Sequence, residues 1–259
     1  MSASRFLADK ALKLAAITPI PLSMRRKPAT KSRTRQSMPT PPWSISDGSL
    51  EALKWVGLVL MTGDHLNKYL LHEAIPALYA LGRMAMPLFG FVLMANLARP
   101  KALAAGAHLR AMKRLAIFAL LAAPSYIQLV GWWPLNIMGT LLLATLIVWL
   151  LERGGWLCRG TASIAFVVAG ATVEFWWPAL LYCLGAWAFV RRPGSPRILL
   201  WVLATASLAI VNGNFAALAA LLLIWAASRL DIPVPRSRWI FYVFYPAHLS
   251  VIALTQQLM

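Results

Sequence analysis

Apolar residues run along most of this chain in stretches far wider than the stripe of a surface helix, separated by short polar or basic interruptions. A helix that crosses a bilayer needs about 20 largely apolar residues, with a range of roughly 17–25. Read with that ruler, the pattern predicts nine helices over residues 50–71, 75–98, 111–130, 135–151, 160–174, 176–190, 197–211, 214–228 and 238–258. The first two are long and the fifth to eighth short, so the second half has soft boundaries and the count spans about 8–10. The expected fold class is an all-α polytopic integral membrane protein of about nine transmembrane helices. No internal repeat is evident.

Residues 1–46 break the pattern. They carry nine Lys and Arg against Asp9 alone, and Pro, Ser and Thr are frequent after residue 17. Lys10 and Lys13 stand where a signal peptide would place its uninterrupted apolar run. The expectation is a basic cytoplasmic tail, partly disordered, whose first 17 residues can lie as an amphipathic helix on an anionic leaflet. Residues 47–259 form the transmembrane domain.

Composition agrees. The chain of 259 residues is 60% hydrophobic and 13% charged, with a mean hydropathy of +0.66. Soluble domains run about 45–50% apolar and about 25% charged, so a soluble fold is excluded, as are a disordered chain and a disulfide scaffold. Cys158 and Cys183 lie on different apolar segments without metal-ligand spacing, so neither a disulfide nor a zinc site is expected.

The net charge of +17 would point to nucleic acid in a soluble protein. Here the charge has a topological meaning instead, and no nucleic-acid partner is expected. The loops after helices two, four, six and eight hold Arg99/Lys101/Arg110/Lys113/Arg114, Arg153/Arg159, Arg191/Arg192/Arg197 and Arg229/Arg236/Arg238. The opposite loops, around Trp132-Trp133, Glu174-Phe175-Trp176 and Asn212-Gly213-Asn214, hold no basic residue. Lys and Arg favour the cytoplasmic side, so the N-terminus is expected inside and the C-terminus outside.

Only Lys54, Lys68 and Arg83 escape that accounting. With Asp64, His65, Glu73 and His248 they are nearly all the remaining ionisable groups of the membrane region. A charge inside a bilayer costs roughly 2.5–3.5 kcal/mol on insertion scales, which marks these residues as a functional site by default. Lys54 and His65 are three helical turns apart and share a face, extended by Met61 and Lys68. Counting about 1.5 Å per residue, His65, Arg83 and His248 reach similar depths on helices one, two and nine. Plainer readings stand beside the functional one: Asp64 and Arg83 as a structural ion pair, Lys54 snorkelling to the inner interface, and His248 as a helix packer. His65, beside an acid able to fix its tautomer, is the candidate general base.

The run Asp47-Gly48, Lys54, Asp64-His65, then Leu81-Gly82-Arg83-Met84-Ala85-Met86-Pro87-Leu88-Phe89 and Asn96-Leu97-Ala98-Arg99, resembles the TraX family of conjugative pilin acetylation proteins. Phe241-Tyr242-x-x-Tyr245-Pro246-x-His248 is similar to that family's closing motif. The likeness covers roughly residues 47–99 and 238–250; between them it lies mainly in hydropathy. The Lys54-x10-His65 spacing also resembles the basic-x10-His signature of the wider membrane acyltransferase superfamily, with Lys for the usual Arg and an acid immediately before the histidine.

The resemblance implies N-acetylation of a conjugative pilin subunit at the bacterial inner membrane, with cytoplasmic acetyl-CoA as donor and no metal. In that reading His65 is the base, Asp64 orients it or contacts Arg83, and Arg83 stabilises the oxyanion. Lys54, Arg99, Lys101, Arg110 and Arg114 meet the donor's phosphates or guide its pantetheine arm. Tyr242, Tyr245 and His248 line the cavity opposite His65. Three other readings remain open: an acyltransferase for a lipid or glycan, a non-catalytic scaffold of pilus assembly, and a transporter with a proton relay. The absence of paired broken helices in matching halves speaks against transport.

Overall fold

The computed structural model describes residues 43–237 and 239–258. The expected basic tail lies outside the described residues except for its last four positions, Trp43 to Ser46, and Arg238 and Met259 lie outside them too.

Eleven α-helices make up nine helical segments among the described residues, one for each apolar run. They are α1 (Asp47–Tyr69), α2 (Pro76–Gly82), α3 (Ala85–Leu97), α4 (Ala107–Leu129), α5 (Ile137–Arg153), α6 (Trp156–Ile164), α7 (Trp176–Arg191), α8 (Ser195–Ser207), α9 (Ala209–Asn212), α10 (Ala219–Arg229) and α11 (Ile240–Leu258). The one extended pairing among the described residues is an isolated parallel bridge between Leu135 and Val173.

Local chemistry sets the helix ends. Ser46 caps α1 by accepting from the Ser49 amide at 3.2 Å, with Asp47 in the first turn and Lys68 in the last, where the helix dipole favours each. Asn136 caps α5 by accepting from the Met138 amide at 3.1 Å. Gly154 and Gly155, at φ of 72° and 82°, end that helix in a backbone region where a side chain would be strained.

Three runs expected to be continuous are not. The second breaks at Arg83–Met84, between α2 and α3. Pro87 explains it: a proline removes the amide that would bond the carbonyl four residues earlier, that of Arg83, and its ring crowds that carbonyl. The fifth passes from α6 into a π turn at Ala165–Ala169 and a 3-10 turn at Gly170–Thr172. The seventh divides at Leu208 into α8 and α9.

Helix α3 is the central element. Leu88, Phe91 and Met94 have no exposed surface, and α3 packs against α1, α5, α7 and α10. The Tyr182 hydroxyl of α7 donates to the Pro87 carbonyl at 2.7 Å. Helix α11 lies against both α1 and α4. The outward faces are apolar: Val59, Leu120, Ile210, Leu222 and Val251 are each more than 60% exposed. Apolar surface of that extent is what a lipid-facing bundle presents. Two segments, Pro76–Leu97 and Ser195–Asn212, are by themselves long and apolar enough to cross a membrane.

Candidate active site

A cavity of about 530 Å³ runs beside α1 and is walled by α2, α3, α4, α5 and α11. Its lining includes Asp47 in the first turn of α1 and Tyr69 at its end, a path of about 33 Å at 1.5 Å per residue. The stripe expected on α1 is one wall: Lys54, Met61, His65 and Lys68 all face it.

His65 lies about four-fifths of the way along. Its Nδ1 is 2.7 Å from Nε2 of His248 on α11, and His248 Nδ1 is 2.9 Å from the Phe244 carbonyl. A carbonyl only accepts, so His248 carries its proton on Nδ1 and accepts at Nε2. His65 then donates from Nδ1, and in its neutral form this leaves the Nε2 lone pair free. Among the described residues Nε2 has no hydrogen-bond partner, and His65 faces the cavity.

Of the two roles expected of Asp64, the structure shows the contact with Arg83 and not the orientation of His65. Consecutive helical residues point about 100° apart, so the carboxylate turns away from the His65 ring. Asp64 pairs with Arg83 Nη2 instead, and their side chains are 8% and 14% exposed. The α1–α2 contact that makes the pair is very close: a Cβ on Gly82 would stand 2.3 Å from that of Asp64. Arg83 Nε donates to the Tyr79 carbonyl at 3.3 Å, and the guanidinium lies 4.4 Å from the centre of the Tyr79 ring. Asp64 therefore positions Arg83, and His248 holds the His65 ring. His248 supports the wall from behind and is not among its lining residues, whereas Tyr242 and Tyr245 are.

Lys54 faces the cavity with its ammonium already engaged. It is 2.6 Å from the buried Glu51, donates to the Ser237 carbonyl at 3.3 Å and lies 4.3 Å from the centre of the Phe241 ring. Glu51 also accepts from the Ser237 amide at 2.9 Å, so this cluster fastens the segment before α11 onto α1.

Arg99, Arg110 and Arg114 line the end of the cavity near Asp47, as expected, and Arg236 joins them. Arg99 pairs with Asp47, and Arg114 lies 4.8 Å from the centre of the Trp239 ring. Lys101 does not belong to this group: it is exposed, at a φ of 65°, and off the lining. Sequence reasoning missed Arg236, which reads as one more topogenic loop charge. It also missed Glu174, which lines the opposite end with Phe175. The signal for Glu174 was an acid set among Val173, Phe175 and two tryptophans without a basic neighbour. Among the described residues no group of three His, Cys, Asp or Glu side chains is arranged to hold a metal.

The family profile described as TraX protein matches residues 49–256. The chain belongs to the TraX family. No curated protein and no solved structure matches it. The TraX match takes in Lys54, Asp64, His65, Arg83, Glu174, Arg236 and His248, so both ends of the cavity and its centre fall within it. TraX membership implies a role in conjugative pilin processing.

Proposed function

We propose that the chain is a multi-pass protein of the bacterial inner membrane that transfers an acetyl group from cytoplasmic acetyl-CoA to the α-amine of a conjugative pilin subunit. In this reading the nine helical segments each cross the bilayer, with the N-terminus in the cytoplasm. The coincidence of every apolar run with a helical segment supports that count, as does the alternation of basic and uncharged loops.

One observation carries the chemistry: an imidazole held at Nδ1 by His248, with no partner at Nε2 among the described residues, on the wall of a cavity that arginines line at one end. Arg110, Arg114 and Arg236 would hold the donor's phosphates, the anions that guanidinium geometry suits best. Bound there, acetyl-CoA supplies an activated acyl carbon. His65 Nε2 takes the proton of the attacking amine, whose nitrogen is nucleophilic only when neutral. Arg83 lies on the same wall and stabilises the negative charge that develops on the carbonyl oxygen. His248 keeps His65 in the tautomer that leaves Nε2 unprotonated. Lys54, committed to Glu51 and Ser237, shapes the passage between the two ends.

The test is the intact mass of the cognate pilin from cells carrying this protein, its His65→Ala variant or no copy. A pilin heavier by one acetyl group only with the unaltered protein is the expected result. Equal pilin masses in all three would sink the proposal.

A further inference from the structure

The charges that line the cavity are unevenly neutralised. Four carboxylates face it, from Asp47, Glu51, Asp64 and Glu174. Three are paired, with Arg99, Lys54 and Arg83 respectively. Among the described residues Glu174 alone of the four has no cation within ion-pair distance. Lys68 and Arg83 line the same cavity, and Arg83 is already committed to Asp64.

The backbone around Glu174 is built to hold it there. The Leu135 amide donates to the Thr172 carbonyl at 2.7 Å, and the Glu174 amide donates to the Leu135 carbonyl at 2.8 Å. The Thr140 hydroxyl donates to the Glu174 carbonyl at 2.8 Å. Val173 is 2% exposed. Immediately after Glu174 the chain passes through the left-handed region at two residues that are not glycine, Phe175 (φ 61°) and Trp176 (φ 49°). Such strain persists only where the surroundings over-determine it, and it concentrates at ligand sites. Here it redirects the chain so that Glu174 and Phe175 face the cavity while Trp176 begins α7 and stacks on Trp133.

We infer that Glu174 is the acceptor-recognition residue of this site and takes a protonated primary amine. The inference rests on the acetyltransferase reading above and adds the residue that recognises the acceptor amine. Unpaired guanidinium groups at one end of the cavity suit an anion. An unpaired carboxylate at the other end, in the segment before α7 and lining the same cavity as His65, suits an ammonium group. A lipid or glycan hydroxyl carries no charge and would leave this half-buried carboxylate without a counter-ion, so the geometry selects amines over alcohols. Once docked, the ammonium releases one proton to water. His65 Nε2 takes a second as the C–N bond to the acetyl carbon forms. The C–S bond breaks, and that second proton passes to the departing thiolate.

The test compares binding of two probes to the purified full-length protein in lipid nanodiscs: a decapeptide of the mature pilin N-terminus, and the same peptide N-acetylated. The unaltered protein should bind the free amine about 10- to 100-fold more tightly, the range of a charged hydrogen bond. Glu174→Gln should bind the two peptides alike. Lys68→Ala leaves Glu174 intact and removes a competing cation, so its preference for the free amine should rise; it serves as the second variant if Glu174→Gln fails to fold. Equal binding of both peptides by the unaltered protein, or a preference unchanged in Glu174→Gln, overturns the inference. Acetylation of the free peptide, followed separately by mass, decides the parent reading. Binding preference without acetylation leaves Glu174 as an amine site and removes the acetyltransferase.

Discussion

His248 Nε2 stands 2.7 Å from His65 Nδ1, and the two ring planes differ by only 7°. The hydrogen bond therefore lies near the plane of both rings, where the nitrogen lone pair points, and a second bond to the Phe244 carbonyl fixes its direction. One helix carries His65, and another holds its Nδ1 and leaves Nε2 toward the cavity.

Removing that support should lower turnover without touching the donor end. In His248→Ala, the Nδ1 proton of His65 loses its acceptor and the ring its orientation. A drop in kcat of about a hundredfold is expected, the effect of misplacing a reacting group by about 1 Å. KM for acetyl-CoA should hold. His248→Asn keeps both an acceptor for His65 and a donor for Phe244, so it should recover part of the loss. A His248→Ala protein with full kcat would show that His65 needs no such partner.

Gly82 is required by close approach. A methyl group there would meet the Asp64 Cβ at 2.3 Å and its Cγ at 2.5 Å. The latter atom is held by the ion pair with Arg83, so α1 and α2 must separate. Gly82→Ala should destabilise the protein by about 1–3 kcal/mol or more, the usual cost of overpacking. Gly160, inside α6, has nothing within 4 Å of an added Cβ. Gly160→Ala should be neutral or should stabilise by about 0.5–1 kcal/mol, through lower backbone entropy in the unfolded chain. Thermal unfolding in detergent reads both; equal effects would contradict this account.

Hydropathy located all nine helical segments because long apolar runs are a strong, local signal. It did not reveal the break at Arg83, although Pro87 stood in the sequence with the reason for it. The stripe Lys54–Met61–His65–Lys68 was legible because helical periodicity alone decides which residues share a face. Depth counting placed His65, Arg83 and His248 at one level, yet level cannot say which side chains touch. For that reason two roles stayed open for Asp64, orienting its chain neighbour or contacting Arg83, and the α1–α2 contact decides for Arg83. Glu174 was out of reach for a different reason: its placement depends on two left-handed residues and a one-bridge pairing with Leu135, neither of which leaves a periodic trace.

The Asp64–Arg83 pair makes a prediction about coupling. Arg83→Met leaves a carboxylate buried without its counter-ion, a loss of about 3–5 kcal/mol. Asp64→Leu strands the guanidinium in the same way. The double variant Asp64→Leu/Arg83→Met strands neither charge, so its destabilisation should be well below the sum of the two single losses. Unfolding of the three variants in one detergent measures the difference. Additive losses would mean that the pair is solvated and that its burial is unimportant, and all variants lacking Arg83 should still fail to acetylate.

The donor end separates spatial from sequence reasoning. Lys101 and Arg110 belong to the same basic loop region in sequence, but Arg110 faces the cavity and Lys101 does not. Arg236 faces it from the far side of the chain. If the cavity mouth binds acetyl-CoA, Arg110→Ala and Arg236→Ala should each raise KM for the donor by about tenfold, the loss of one charged hydrogen bond. Lys101→Ala should change it less than about twofold, as expected of an exposed charge outside the contact. Raising the salt concentration should weaken donor binding in the unaltered protein and have a smaller effect in Arg110→Ala/Arg236→Ala, because fewer of the interactions being screened remain. Equal KM effects at Lys101 and Arg110 would mean that the donor responds to the net charge of the loop, and that the cavity mouth is not its binding site.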